Sequence, residues 1–369
     1  MEFLKRISIV IVAVSGIVTF ELGQSAAELK PGDLVAQAGR GFTYEHQPAP
    51  KAEGKRVMRV GYFPNLTHMQ ALIGISNGTF RKALGDNVVI DPYLFNAGPS
   101  AVEALFAGAI DFTYIGPNPA INAYVKSKGE AARIVAGACS GGAALVVRAD
   151  AKIATPQDFH GKRLATPQLG NTQDVAARAW LKKQGLAPKG AGGDVEIVPM
   201  MNPDQLTLFL RKDLDAAWAV EPWAARLIRE GGGRLFLDER TLWPNGQFVT
   251  VHLLASTKFL KQSPDLLKIW LTAHVELTQW INAHKDEAKR SANAEIARLV
   301  GKGLKPEVVD EAFSRLELTY DPIRSSLTTA AQAAFELGFL GRERPNLDGI
   351  YDLGLLNEVL KQRGLKSIQ

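Results

Sequence analysis

The chain has 369 residues, 46% of them hydrophobic and 22% charged, with a formal net charge of +5 and 34 glycines. That is globular composition, long enough for two domains of ordinary size with a sizeable core in each. The basic residues are scattered, with no run of five or more Lys/Arg, which argues against a nucleic-acid partner.

In chain order the first feature is Lys5-Arg6, followed by an apolar run from Ile7 to Phe20 and the small residues Ser25-Ala26-Ala27. A positive start, a short apolar stretch and a small-x-small site describe a secretory signal over residues 1–27. The run is shorter than the ~20 residues a membrane span needs, and an uncleaved N-terminal anchor is the other reading. Residues 28–56 are rich in Pro, Gly and charge without a sustained period, and read as a flexible lead-in. Cys139 is the one cysteine, so no internal disulfide supports the fold.

From Val57 β-like runs alternate with helical patterns. "VMRVGYF" is a strand, and a helix is expected over about 68–84. "NVVIDPYLF", "IDFTYIG", "ARIVAGA" and "AALVVRA" are further strands, with helices at "PSAVEALFAG" and "PAINAYVKS". A second α/β unit follows Asp150. It has strands at 163–166, "VEIVPM", "DAAWAV" and "RLFLDE", and helices at about 172–184 and at "NPDQLTLFLRK", with Asn202 as N-cap. "QFVTVHLLAS" is β-rich and leads back out. From Ser256 the pattern is almost wholly helical, with helices expected near 263–284, 285–300, 305–316 and 324–338 and in the tail. His274 falls on a buried helical face and reads as a core residue.

The βαβα rhythm implies largely parallel sheets covered by helices, and ligands of such sheets sit at the carboxyl ends of the strands. The loops there contain Asn65-Leu66-Thr67-His68, Asn96 to Ser100, Gly116-Pro117-Asn118, Ser140-Gly141-Gly142 and Leu169 to Gln173. They hold glycines, hydroxyls and amides with almost no charge. Such loops, at helix starts, can bind a weakly basic oxyanion through hydrogen bonds rather than counter-ions. The same residues are also ordinary caps and turns. Trp223 and Trp243 are placed to wall in a ligand's carbon tail, whereas Trp218 reads as core. Walker A, GxSxG and HExxH motifs are absent, and no two histidines have metal-site spacing.

The stretches "VGYFPNLTHMQALIG", "AGPSAVEALFAGAIDFTYIGPNPAINAY", "LATPQLGNTQDVAARAWLKKQGL" and "LDAAWAVEPWAARLI" together resemble the substrate-binding proteins of the nitrate/sulfonate/taurine class of ABC importers, over Val57 to about Leu365. The resemblance implies an α/β, two-lobed periplasmic-binding-protein fold with two crossover strands and a helical C-terminal part. Lobe one would hold 57–148 and 255–369, lobe two 149–254, with "VVRADA" and "VHLLAS" as hinge strands. It implies a periplasmic monomer that captures a small oxyanion, a sulfonate, taurine or nitrate, and delivers it to an inner-membrane permease, without catalysis, cofactor or metal.

By position, the ligand-binding residues carried over are Asn65, His68, Gly98, Ser100, Gly116, Asn118, Ser140, Gly141, Asn171, Thr172, Gln173, Glu221 and Trp223. His68 would donate to a sulfonate, more strongly when protonated. Glu221 would cap a turn or meet the amine of a taurine-like cargo. Two relatives on the same fold are the rivals. One is a sulfinate desulfinase, here using Cys139, and the other is a binding protein for a thiamine-precursor pyrimidine.

Overall fold

The computed structural model describes residues 54–369. The expected signal and the lead-in up to residue 53 lie outside the described residues.

Two sheets carry the fold. The first has six strands in the order β11-β4-β10-β3-β1-β2: β1 Arg56–Tyr62, β2 Val88–Leu94, β3 Phe112–Ile115, β4 Ala132–Gly141, β10 Val249–Ser256 and β11 Leu316–Leu318. The second has five in the order β7-β6-β8-β5-β9: β5 Ala143–Arg148, β6 Arg163–Thr166, β7 Glu196–Pro199, β8 Ala216–Val220 and β9 Gly233–Asp238. β1 runs parallel to β2 and β3, and β6 parallel to β7 and β8. β10 lies antiparallel to both β3 and β4, and β5 antiparallel to both β8 and β9. Those two strands have each just arrived from the other sheet, so they enter against the prevailing direction.

This placement corrects the expected boundaries. "AALVVR" belongs wholly to the second sheet and "VTVHLLAS" wholly to the first. The crossings are Gly142 and the segment 239–248, not "VVRADA" and "VHLLAS". β4 and β5 are buried apolar runs that suit either sheet. What separates them is the backbone, which takes positive φ at Gly141 (70°) and Gly142 (74°), a turn that glycine makes without strain.

Helices cover both faces of each sheet. In the first lobe the expected 68–84 helix is two, Met69–Ser76 and Thr79–Leu84, divided at Gly78 with φ 77°. The long helix Pro264–Ala283 packs Trp270 flat on Phe80, ring centroids 3.6 Å apart. His274 is a core residue, as expected. Its ring nitrogens meet Gly137 O at 2.9 Å and Tyr114 Oη at 3.1 Å. The expected 305–316 helix stops at Phe313, and Leu316–Leu318 instead adds an edge strand to β4. In the second lobe Phe159, Trp180 and the fully buried Trp218 pack edge to face on one side of the sheet. Phe209 and Leu227 pack on the other.

Candidate functional site

Parallel strands deliver their following helices to one edge of each sheet, and the two edges face each other. Between them lies a cavity of about 20 Å³, lined by the loops after β1, β2, β3, β6 and β7 and by β10. That is room for about one water molecule, so the lobes stand closed on each other. The helices Pro117–Lys126, Thr172–Lys183 and Asn202–Leu210 begin at this cavity. Their half-positive ends point toward it. Its lining contains no Lys, Arg, Asp or Glu.

Of the expected residues, Asn65, His68, Gly116, Asn171, Thr172 and Gln173 line this cavity. Asn171 caps its helix, accepting from Thr172 N at 2.9 Å. Thr172 Oγ1 is buried with no partner, and it sits against Gly116. A Cβ added at Gly116 would fall within 3.0 Å of that oxygen, so glycine here lets one lobe's backbone meet the other lobe's hydroxyl. Trp223 and Asn65 meet directly across the cleft, indole Nε1 donating to Asn65 Oδ1 at 3.0 Å.

His68 is present but not in the expected state. Burial pushes it down to about 3, and its Nδ1 accepts from Phe63 N at 3.3 Å. The ring is neutral at ordinary pH, with its proton on Nε2, so protonation does not strengthen its contacts. Asn118 lies just outside the small cavity, 3% exposed, with Nδ2 unpartnered.

The remaining residues have other work. Gly98 packs on Pro119, where a side chain would collide, and Ser100 sits inside the helix Gly98–Phe106 away from the cavity. Ser140 and Gly141 are the paired end of β4. Glu221 is fully buried and bridged to Arg315 at 2.7 Å. It also accepts from Ala225 N at 3.0 Å, so it caps the turn, and neither oxygen is free for a ligand amine. Burial pushes its carboxyl up to about 7, with Arg315 pulling the other way.

Several residues escaped the sequence reading. Asn202 and Thr250 line the cavity. Asn202 is the first helical residue and not the N-cap, which is Met201, and this leaves its buried Oδ1 without a partner. Asp174 pins the 166–172 loop, accepting from Thr166 Oγ1 at 2.8 Å and Gly170 N at 2.9 Å, with Arg178 Nε at 3.0 Å as counter-ion. A polar residue in the first turn after an "LGNT" loop was the available signal. Arg315 offered none.

Cys139 is fully buried in the first-sheet core, and burial pushes its thiol up. That environment disfavours the thiolate a nucleophile requires. Among the described residues no cluster of three His, Cys, Asp or Glu is placed to hold a metal, and no helix is long and apolar enough to cross a membrane.

Two α/β lobes joined by two crossings and closed over a donor-lined cavity are the plan of the two-lobed periplasmic binding proteins. Residues 51–298 match the NMT1-like family, and the chain belongs to it. It is 27% identical over 233 residues to the taurine-binding periplasmic protein of Escherichia coli strain K12, covering 63% of this chain and 69% of that protein. In structure it is similar to the alkanesulfonate-binding protein SsuA of Xanthomonas axonopodis pv. citri bound to MOPS, with TM-score 0.68, 18% identity, and coverage of 81% of this chain and 98% of that one. The periplasmic nitrate-binding protein NrtA of Synechocystis PCC 6803 is similar with TM-score 0.70 and 15% identity, covering 84% of this chain and 89% of that one.

Proposed function

We propose that this chain is the exported binding component of an ABC importer and captures a small oxyanion of the sulfonate, taurine or nitrate kind between its lobes. The lobes are residues 54–142 with 249–369, and 143–238. The observation that carries the reading is the interlobe cavity, where three helix N-termini and neutral donors converge without one charged side chain. Such a site suits an anion that is held by hydrogen bonds and released without breaking an ion pair. At about 20 Å³ the space must widen to admit such an anion. A ligand bridging Thr172 and Asn65 then touches both lobes, so its differential affinity favours a form closed around it, which a permease would recognise. The relatives named as periplasmic, and the apolar run behind Lys5-Arg6, support export. The core position of Cys139 favours binding over turnover.

The test is thermal unfolding of the mature chain against nitrate, sulfate, taurine and a set of sulfonates. A ligand at a hundred times its Kd adds about 2.7 kcal/mol, a shift of several degrees. Stabilisation by one of these anions, lost in Thr172→Val, is the expected result. If no anion raises the melting temperature, the oxyanion reading fails.

A further inference from the structure

Beside the small cavity lies a much larger space of about 510 Å³, between the helices Thr172–Lys183 and Arg324–Glu336. Pockets of roughly 300–1,000 Å³ are the ordinary size for small-molecule ligands. Val175, Trp180, Trp243, Phe248, Ala330 and Leu337 form much of its wall. Trp243 and Phe248 stack with centroids 5.3 Å apart and planes 10° apart, a flat aromatic slab facing the space.

Thr172 borders this chamber and the small cavity alike. At that junction are two buried polar atoms without partners, Thr172 Oγ1 and Asn118 Nδ2. Asn118 is 3% and Thr172 7% exposed. A buried donor left unmade is costly, and these two come from different lobes, so one ligand group between them satisfies both. Glu239 is the acidic group in the wall. Its carboxyl accepts from Trp218 Nε1 at 2.7 Å, the Trp243 indole lies beside it, and burial pushes it up to about 7. One of its oxygens is thus bonded inside the protein, while the Trp243 indole Nε1 in the same wall is buried without a partner. At the rim stand Lys182 and Lys183 against Glu336, which pairs with Lys182 at 3.4 Å. The rim therefore carries an excess positive charge.

We propose that the cargo is an organic anion with a bulky apolar body, such as an aryl or branched-alkyl sulfonate. Its oxyanion takes Thr172 Oγ1 and Asn118 Nδ2, and its body fills the chamber against Trp243 and Phe248. This rests on the oxyanion reading above and narrows it, because nitrate or taurine would leave an apolar chamber unfilled. Burying an aromatic ring there is the source of affinity that a small anion lacks.

The experiment is calorimetric titration of the full chain with three probes: a naphthalenesulfonate, methanesulfonate and uncharged naphthylmethanol. Two variants, Ala333→Trp and Ala179→Trp, fill the chamber from opposite helices. The naphthalenesulfonate is expected to bind at least about tenfold tighter than methanesulfonate. Either tryptophan should bring that ratio close to one while leaving methanesulfonate affinity in place. If the two sulfonates bind equally in the wild-type chain, or if the ratio survives both tryptophans, the bulky-cargo proposal is overturned and the oxyanion reading stands. If naphthylmethanol binds as tightly as the sulfonate, the anionic head and the oxyanion reading fall together, as they do if no probe binds. Where neither variant folds, the wild-type ratio decides.

Discussion

Replacing Gly116 by alanine tests closure with a single methyl group. Gly116 has φ −69° and ψ 158°, a conformation that alanine adopts freely, so the substitution adds no backbone strain. The new Cβ falls within 3.0 Å of Thr172 Oγ1 on the other lobe. That oxygen has no hydrogen bond to lose, so the cost is steric overlap alone, about 1–3 kcal/mol for an overpacked methyl. With the lobes apart the two atoms do not meet, so the whole cost falls on the closed form. Ligand affinity, which is realised by closing, should weaken roughly 5- to 150-fold. Calorimetric titration with the anion found in the thermal screen measures this, and small-angle scattering checks that the ligand no longer compacts the chain. Thr172→Ala weakens binding by itself because it removes the proposed donor, but it also removes the clash, so the Gly116 methyl should cost less affinity in the Thr172→Ala background than in the wild-type chain. Affinity within twofold of wild type in the single variant, or strict additivity in the pair, would refute the reasoning.

Arg315→Met leaves Glu221 buried and uncompensated, and a broken buried pair costs about 3 kcal/mol or more. Chemical denaturation should detect it, and Arg315→Met/Glu221→Leu should recover much of the loss; a single variant as stable as wild type would contradict the pairing. For Glu239 the sign is set by its raised pKa, about 7 folded against 4.5 ordinarily. Between those values the folded chain keeps a proton that the unfolded chain releases, so stability falls as pH rises through the window, by about 3 kcal/mol from this group. Glu239→Gln should make the melting-temperature profile less steep between about pH 4.5 and 7, leaving the like-signed slope from Glu221, and an unchanged slope would count against the buried acid.

How far the site was legible in the sequence depends on what each loop residue does. Asn65, Gly116 and Asn171 to Gln173 come together because parallel topology alone sends the starts of their helices to one edge. Gly98, Ser140 and Gly141 have the same composition and positions. They are spent on packing against Pro119, on pairing and on the crossing turn, and nothing in a loop's residue types distinguishes these uses. Glu221 was visible as an anomaly, a carboxylate among donors. Its resolution lay in Arg315, 94 positions away, in a stretch that read as the end of a helix. Thr250 sits in an apolar run where strand register, not pattern, decides what faces the cleft. The crossing at Gly142 was misplaced for a similar reason, since β4 and β5 are both buried and carry no mark of which sheet they join.

The pairing of Glu221 with Arg315 is one link in a ring of contacts at the first crossing between the sheets. Gly142 N donates to Arg315 O at 2.7 Å, and Glu221 N donates to Gly142 O at 2.8 Å. The Arg315–Glu221 bridge closes the ring. Three segments far apart in sequence are thereby fixed around the single residue that links β4 to β5. Across the chamber the lobes meet through Lys182 and Glu336, an exposed pair that water and salt screen, and through Arg178, whose guanidinium lies 6.0 Å from the centroid of the Phe339 ring. A cargo lying against Thr172 and the chamber wall would bridge the lobes beside these contacts and add its own closing energy to theirs.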